Sequence, residues 1–215
     1  FDTESHRLLM DDVGLTGLYI HDCRCLAKIA DILGHEEDAV KLNERAEIIE
    51  ERMEELWDDD FGMYLNRRTD NDEFQYRLSP FHFHALFSHR VGQERAERMI
   101  KEHMRNPEEF WGEYILPSIA RNDPAYPDND YWRGRIWAPM NYLVYRALLE
   151  YDLPEMRKDL ADKSRNLIMK EWLREGHVHE NYNGDNGEGC DVKNSDKFYH
   201  WGGLLSLIAL LEASH

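Results

Sequence analysis

The sequence predicts an all-α fold, a toroid of helical hairpins of which this chain holds a part. Three observations predict it. Apolar residues recur at three-to-four spacing almost throughout the 215 residues. Helices that are apolar nearly all round alternate with helices that keep one wet face. Each all-round apolar helix follows a loop rich in polar and aromatic residues. The alternation reads as inner and outer helices, with the loops opening at the N-terminal ends of the inner ones. About four inner and three outer helices can be counted, roughly seven of the twelve that close six hairpins into a ring.

The elements follow in order. Asp12 to Leu33 carries Leu15, Leu18, Tyr19, Leu26, Ile29 and Ala30 at helical spacing, and Gly34 is a natural stop. Glu36 to Trp57 repeats the pattern with Val40, Ala46, Ile49, Met53 and Leu56 above a charged face. Met63-Tyr64-Leu65 and Phe74-Gln75-Tyr76 flank a polar turn and predict a small hairpin. Pro80 to Ser88 predicts a short apolar helix, and Gln93 to Met104 an amphipathic one. Asn106-Pro107-Glu108-Glu109 has the composition of a helix start: a cap, Pro in the first turn, then acids. A loop rich in Pro, Asn and Asp runs from Pro117 to Asp130. Helices follow at Ile136 to Tyr151 and Pro154 to Glu175, the second ended by Gly176. A polar loop, His177 to Lys197, leads to a final apolar helix from Tyr199 to Glu212.

Composition narrows the partners. The chain carries 43 acidic and 26 basic residues, a formal charge of −17. That balance disfavours a nucleic acid, whose phosphates call for a basic face, and an anionic membrane surface. The longest apolar run, Trp201 to Leu211, is too short to span a bilayer. The start at Phe1-Asp2-Thr3-Glu4 has neither an initiating Met nor the basic and apolar stretches of a signal peptide, and reads as a processed or excised segment. Cys23 and Cys25 sit two apart on one helix and point apart, and Cys190 lies in a polar loop, so all three read as reduced thiols of a cytoplasmic compartment.

Two loops concentrate the chemistry. In Asn129 to Tyr142, two Trp, two Tyr, two Arg and Asn141 meet where an inner helix begins. Aromatic faces stack on the C–H surfaces of sugar rings, while Arg and Asn donate to hydroxyls. Trp132, Arg133 and Trp137 are the candidate binding residues, and Tyr142 and Tyr145 read as core. In His177 to Gly189, Glu180 stands between His179 and Asn181 ahead of a glycine-rich bend. A carboxylate among donors stays ionised and can act as a general base. Metal chemistry is not expected. His177-x-His179 and His82-x-His84 lack a strong zinc spacing, and Asn183, Asp185 and Glu188 miss the glycine register of a calcium loop.

These residues carry a family resemblance over essentially the whole chain. Tyr131-Trp132-Arg133-Gly134-Arg135-Ile136-Trp137 with Asn141-Tyr142 resembles glycoside hydrolase family 63, which is related to the family 37 trehalases. So do His179-Glu180-Asn181-Tyr182-Asn183 with Gly187-Glu188-Gly189, and Phe198-Tyr199-His200-Trp201-Gly202. Asp12-Val13-Gly14-Leu15 and Leu78-Ser79-Pro80 are similar to bacterial members. The resemblance implies an (α/α)6 barrel and inverting hydrolysis of an α-linked sugar without a cofactor or metal. It places the general base at Glu180 and sugar-lining aromatics at Tyr131, Trp132 and Trp137, with Arg133 beside them, Asn141 in the same motif and His200 at the rim. The general acid of the family, an Asp in an Asp-Asn-Ser-Pro segment, has no counterpart here.

The resulting expectation is the C-terminal part of an inverting α-glycosidase domain, carrying the base half of the site for a small saccharide or glycoside. An N-terminal half with the acid would complete it, and apolar surface at the open barrel edge would be covered by that half or by a second copy of this chain. Should the acid lie within this chain, Asp130 and Glu113 are the next carboxylates. Two alternatives stand beside this reading. A sugar epimerase would use His82, His84, His179 or His200, and a non-catalytic sugar-binding remnant would need only the aromatic loop.

Overall fold

A computed structural model describes residues 2–215, so Phe1 lies outside the described residues. The chain divides into two compact units, one built from residues up to 76 with 81–96, the other from residues 77–80 with 97–215.

The first unit rests on two helices, α1 (Val13–Ile32) and α2 (Glu36–Met53). Asp12 caps α1 by accepting from the Leu15 N–H at 2.7 Å. Gly34, at φ 79°, turns the chain into α2. The face that α1 buries is its small one: Val13, Gly14, Gly17, Ile20, Cys23, Ala27 and Ala30. Ala27 and Ala30 pack on Ala39, with Leu42 beside them. Of the apolar residues that run nearly all round this stretch, Leu15, Ile29, Ile32 and Leu33 are exposed within this chain. They lie on the side of the helix opposite the buried one.

Polar groups stitch this unit together. Buried Glu50 on α2 takes a two-point contact from Arg24 (2.7 and 3.2 Å) and accepts from the His89 N–H at 3.0 Å. After a 3-10 turn, Glu54–Leu56, come two minimal hairpins rather than the single one expected. Strand β1 (Trp57–Asp58) pairs with β2 (Met63–Tyr64), and β3 (Asn66–Arg67) with β4 (Phe74–Gln75). Met63 and Tyr64 therefore face Trp57 and Asp58, where Asp58 caps the turn through the Phe61 N–H. The apolar segment Pro80–Phe87 is a 3-10 helix. Within this unit Gly17 lies so close to it that a β-carbon would fall 2.2 Å from the His84 carbonyl oxygen.

The chain passes into the second unit within α3 (Gln93–Met99), which runs on into a single π-helical stretch, Ile100–Met104. No helix starts at Asn106. The N–H groups of Glu109, Phe110 and Trp111 converge on the one Asn106 carbonyl (3.0, 2.9 and 2.9 Å) instead of stepping along successive ones, and buried Phe110 pins the turn. Helix α4 (Ala138–Leu148) begins two residues later than the pattern predicts, because the N–H and C=O of Ile136 are committed to Tyr182. It is buried nearly all round. Helix α5 (Pro154–Glu175) matches expectation at both ends, with Pro154 in its first turn and Gly176 in a left-handed cap at φ 72°. A 3-10 turn, His200–Gly203, precedes α6 (Leu204–Glu212), which packs on α4 and α5. Leu205 and Ile208 are its buried face, while Leu207 and Leu210 stay exposed beside a groove of about 740 Å³ lined by Ile168, Met169, Ala209 and Leu210. The three thiols are free, and among the described residues no helix is long and apolar enough to cross a membrane.

The first unit sets two expectations for stability. Gly17→Ala must push the Pro80–Phe87 backbone away and is expected to cost about 2 kcal/mol or more in chemical denaturation. His84 is buried, its Nδ1 lies 3.4 Å from the Gly14 carbonyl, and its Nε2 has no hydrogen-bond partner among the described residues. Burial lowers its pKa to about 4, so the folded state holds it neutral while the unfolded chain protonates it below its ordinary value of 6.5. The resulting stability is complete above pH 6.5 and is lost as pH falls towards 4, by up to about 3 kcal/mol. In unfolding curves across that range, His84→Gln is expected to flatten the decline.

Candidate active site

Two loops of the second unit form the site, and main-chain pairing holds them together. Ile136 and Tyr182 exchange both hydrogen bonds (2.8 and 3.0 Å). On one side Pro117 pairs with Ile136, and on the other Gly189 pairs with Tyr182. A second pairing lies alongside: Glu180 N–H donates to the Asp196 carbonyl at 2.9 Å, and Phe198 N–H to the Val178 carbonyl at 2.9 Å. Glu180 thus sits on a short extended segment clamped from both directions.

The Glu180 side chain is buried yet reaches a small open pocket of about 350 Å³, lined by Tyr131, Glu180, Lys193, Asn194 and Asp196. Its Oε2 accepts from the Asp196 N–H at 3.3 Å. Tyr131 lies beside it in the same lining, and the Tyr131 pKa is raised, by desolvation first and by the neighbouring Glu180 charge second. Tyr131 adopts the left-handed region at φ 49°, two residues after Asn129 at φ 42°. For residues other than glycine this conformation costs free energy and persists only where the surroundings enforce it. The Tyr131 carbonyl is held in place by the Trp137 indole N–H at 2.9 Å.

The aromatic residues form one stack. Trp132 is 44% exposed and lies flat on Trp137 (centroids 3.9 Å apart, 14° between planes), while Trp137 itself is fully buried. Trp137 also meets the edges of Tyr131 (4.8 Å) and Trp201 (5.9 Å). The Trp201 indole N–H donates to the Glu180 carbonyl at 3.1 Å. Trp132 therefore presents an open ring face and Trp137 has none to present, which corrects the expectation that both wall a sugar site.

Three other expectations change. Asn141 is fully buried on α4, with its amide used on the N–H and C=O of Leu116 and the C=O of Trp137, all at 3.0 Å; it ties a loop to a helix and has no group left for a ligand. Arg133, expected beside the aromatics as a donor to hydroxyls, pairs its guanidinium with Asp128 (2.8 Å) and Asp130 (3.1 Å) on its own loop. His200 is exposed, stacks on Tyr199 at 5.6 Å and does not line the pocket. Neither His177 nor His179 lines it. Asp130 is engaged by Arg133 and by Asn194 at 3.2 Å, and Glu113 is an exposed residue whose carbonyl accepts from Lys163.

Sequence reasoning missed Arg135, which is fully buried. It donates to Asn181 Oδ1 and, at 2.6 Å, to Asp191 Oδ1. Asn181 in turn donates to the Asn194 carbonyl at 2.7 Å, and Asn183 to Asp191 at 2.9 Å. Burial works against the Asp191 charge, but the hydrogen bonds from Arg135 and Asn183 outweigh it and hold its pKa below the ordinary value. Two arginines flank Gly134, and only their burial separates the structural one from the surface one. Asp196 and Lys193 were also missed, since nothing in their local sequence marks them. Among the described residues no group of three or more His, Cys, Asp and Glu could hold a metal ion.

The family described as mannosylglycerate hydrolase MGH1-like glycoside hydrolase domain matches residues 2–201. The chain belongs to this family. Its resemblance to glycoside hydrolase family 63 is thereby established. It is similar to a mannosylglycerate hydrolase of Thermus thermophilus, 28% identical over 181 residues that cover 83% of this chain and 42% of the relative. It is also similar to the mannosyl-oligosaccharide glucosidase of Saccharomyces cerevisiae, 32% identical over 117 residues, 47% of this chain and 14% of the relative. Among solved structures, the family 63 mannosylglycerate hydrolase from a second strain of Thermus thermophilus, in complex with glucose, superposes with a TM-score of 0.76 at 24% identity, over 93% of this chain and 45% of the other. That likeness shows the fold: the helices of this MGH1-like chain are part of an all-α toroid. The chain spans less than half the length of these proteins.

Removing the Arg135 charge leaves Asp191 and Asn181 without their buried partner. Arg135→Met is expected to lower stability by about 3 kcal/mol, read by thermal or chemical unfolding.

Proposed function

We propose that this MGH1-like chain supplies the base half of an inverting α-glycosidase site, acting on an α-glucoside or α-mannoside of a small saccharide or glycoside. One observation carries the reading. Glu180 is a buried carboxylate, held at Oε2 by the Asp196 main-chain N–H with Tyr131 beside it, that opens on a pocket in a glycoside hydrolase family domain. Its other oxygen, Oε1, then takes the water. In the reaction Glu180 takes a proton from that water as its oxygen attacks the anomeric carbon. The glycosidic bond breaks on the opposite face, and its oxygen is protonated by a general acid. Inversion needs the two carboxyl groups roughly 6.5–9.5 Å apart, leaving room for the water. Proton transfers through carboxyl groups need no cofactor.

The acid belongs to a portion of the domain outside this chain. Two facts support that assignment: no Asp-Asn-Ser-Pro segment occurs here, and the chain spans 42% of the Thermus hydrolase. Residues 1–215 then form the C-terminal portion of a single (α/α)6 catalytic domain, and the apolar groove beside α6 is where further helices of the same toroid pack. Trp132 offers its exposed face to the sugar ring, with Trp137 fixing its plane. Lys193, Asn194 and Asp196 supply hydroxyl partners around the pocket. The names of the relatives point to two glycoside classes, a mannosylglycerate and a mannosyl-oligosaccharide.

In the full-length enzyme, Glu180→Gln is expected to lower kcat at least ~10²-fold. Unchanged turnover would remove Glu180 from the mechanism. The first-formed sugar anomer, followed by proton NMR, should be the β form; an α product would overturn inversion. Trp132→Ala should raise KM about tenfold, since a stacked ring contributes about 1–2 kcal/mol.

A further inference from the structure

Helix α5 carries a second carboxylate that the reaction does not use. Glu171 is fully buried, and charged side chains are seldom buried without partners. Its Oε2 receives Arg174 Nη2 at 2.7 Å and the Gly189 N–H at 3.0 Å. His179 Nε2 lies 3.2 Å from the same oxygen without making a hydrogen bond to it, and burial holds the His179 pKa below its ordinary value. His179 is the residue immediately before Glu180 and is itself fully buried. Its Nδ1 lies 2.8 Å from Cys190 Sγ, and its ring meets Tyr182 edge-on at 5.3 Å. Gly189 closes over that ring so tightly that a β-carbon there would fall 2.2 Å from it. One oxygen of a helix residue thus meets both strands of the Glu180 loop, the outgoing one at His179 and the returning one at Gly189.

We propose that Glu171 is a positioning residue: by holding the Gly189 N–H to α5, and through Gly189 the His179 ring packed beneath it, it fixes the depth at which Glu180 enters the pocket. This rests on the reading of Glu180 as the general base. Glu171 does not line the pocket, so it has no share in holding the sugar. Its effect reaches the reaction through the backbone at Glu180. A carboxylate that must lie within hydrogen-bond reach of one water is sensitive to shifts well below an ångström, and misplacement lowers the rate of the chemical step more than ground-state binding.

The test compares variants in the full-length enzyme, with activity expressed per folded molecule. Glu171→Ala is expected to lower kcat about thirtyfold with KM within twofold of wild type. Glu171→Gln keeps an acceptor for the Gly189 N–H and should restore kcat to within about fivefold. Arg174 is exposed, so Arg174→Met disturbs the same contact without emptying the core, and should lower kcat two- to fivefold at unchanged KM. If Glu171→Ala does not fold, this variant and Glu171→Gln decide the matter. A rise in KM at unchanged kcat, or kcat unaltered in every variant that folds, overturns the proposal. Glu180→Gln in parallel separates the two readings. If Glu180→Gln abolishes turnover while the Glu171 and Arg174 variants keep full kcat, only the positioning role fails. If Glu180→Gln is fully active, the base assignment fails, and the positioning role with it.

Discussion

The site depends on one buried cation. Arg135 is excluded from water, and moving an unpaired guanidinium there would cost several kcal/mol. The cost is met because Asn181 and Asp191, both on the second loop, converge on it. Asn181 then holds the Asn194 carbonyl, and Asn183 holds Asp191. A charge on one loop thereby organises the other into a closed bend, and Glu180 is adjacent to Asn181. Without this ion pair the main-chain bonds between Ile136 and Tyr182 would be a single short bridge, too little to order a loop of this length.

On that base the aromatic and carboxylate layers divide the labour. The tryptophan stack supplies rigidity. Trp137 uses its ring under Trp132 and its N–H on the Tyr131 carbonyl, and Trp201 uses its N–H on the Glu180 carbonyl. The same residues that present an apolar face thus fix the backbone on both sides of the pocket. The carboxylate layer divides in turn: Glu180 lines the pocket, and Glu171 is buried away from it. Left-handed backbone at Asn129, Tyr131, Cys190 and Phe198 concentrates in these loops, as expected where tertiary contacts outweigh local preference to aim particular side chains.

The division between legible and hidden features has a physical pattern. Elements governed by local rules were read correctly: the Gly34 stop after α1, the Pro154 start and Gly176 stop of α5, and the loop from His177 to Lys197. Elements governed by distant partners were not. Asn106-Pro107 has helix-start chemistry, yet Phe110 is drawn into the core after one turn. Met63 and Tyr64 pair with the nearer strand because the turn capped by Asp58 closes first in the chain. On α1 the helical period was right, and of its two apolar sides this chain buries the one of small residues. Close helix packing selects Gly and Ala there, while the larger residues lie on the opposite side.

The sequence by itself determined the class of the fold and singled out two loops, because helical spacing and an uncommon clustering of Trp, Tyr, Arg and Asn are visible in one dimension; it singled out Glu180 through the family resemblance. It also carried the family, whose motifs lie in those loops. Only the tertiary structure decided which member of each pair of similar residues does which task. It separated Arg135 from Arg133 and Trp132 from Trp137, moved Asn141 from ligand binding to scaffolding, and brought Asp196 and Lys193 to the pocket. The reason is that burial and partnership belong to positions in space. Two arginines two residues apart have the same chemistry in the chain, and differ only in what the fold places around them.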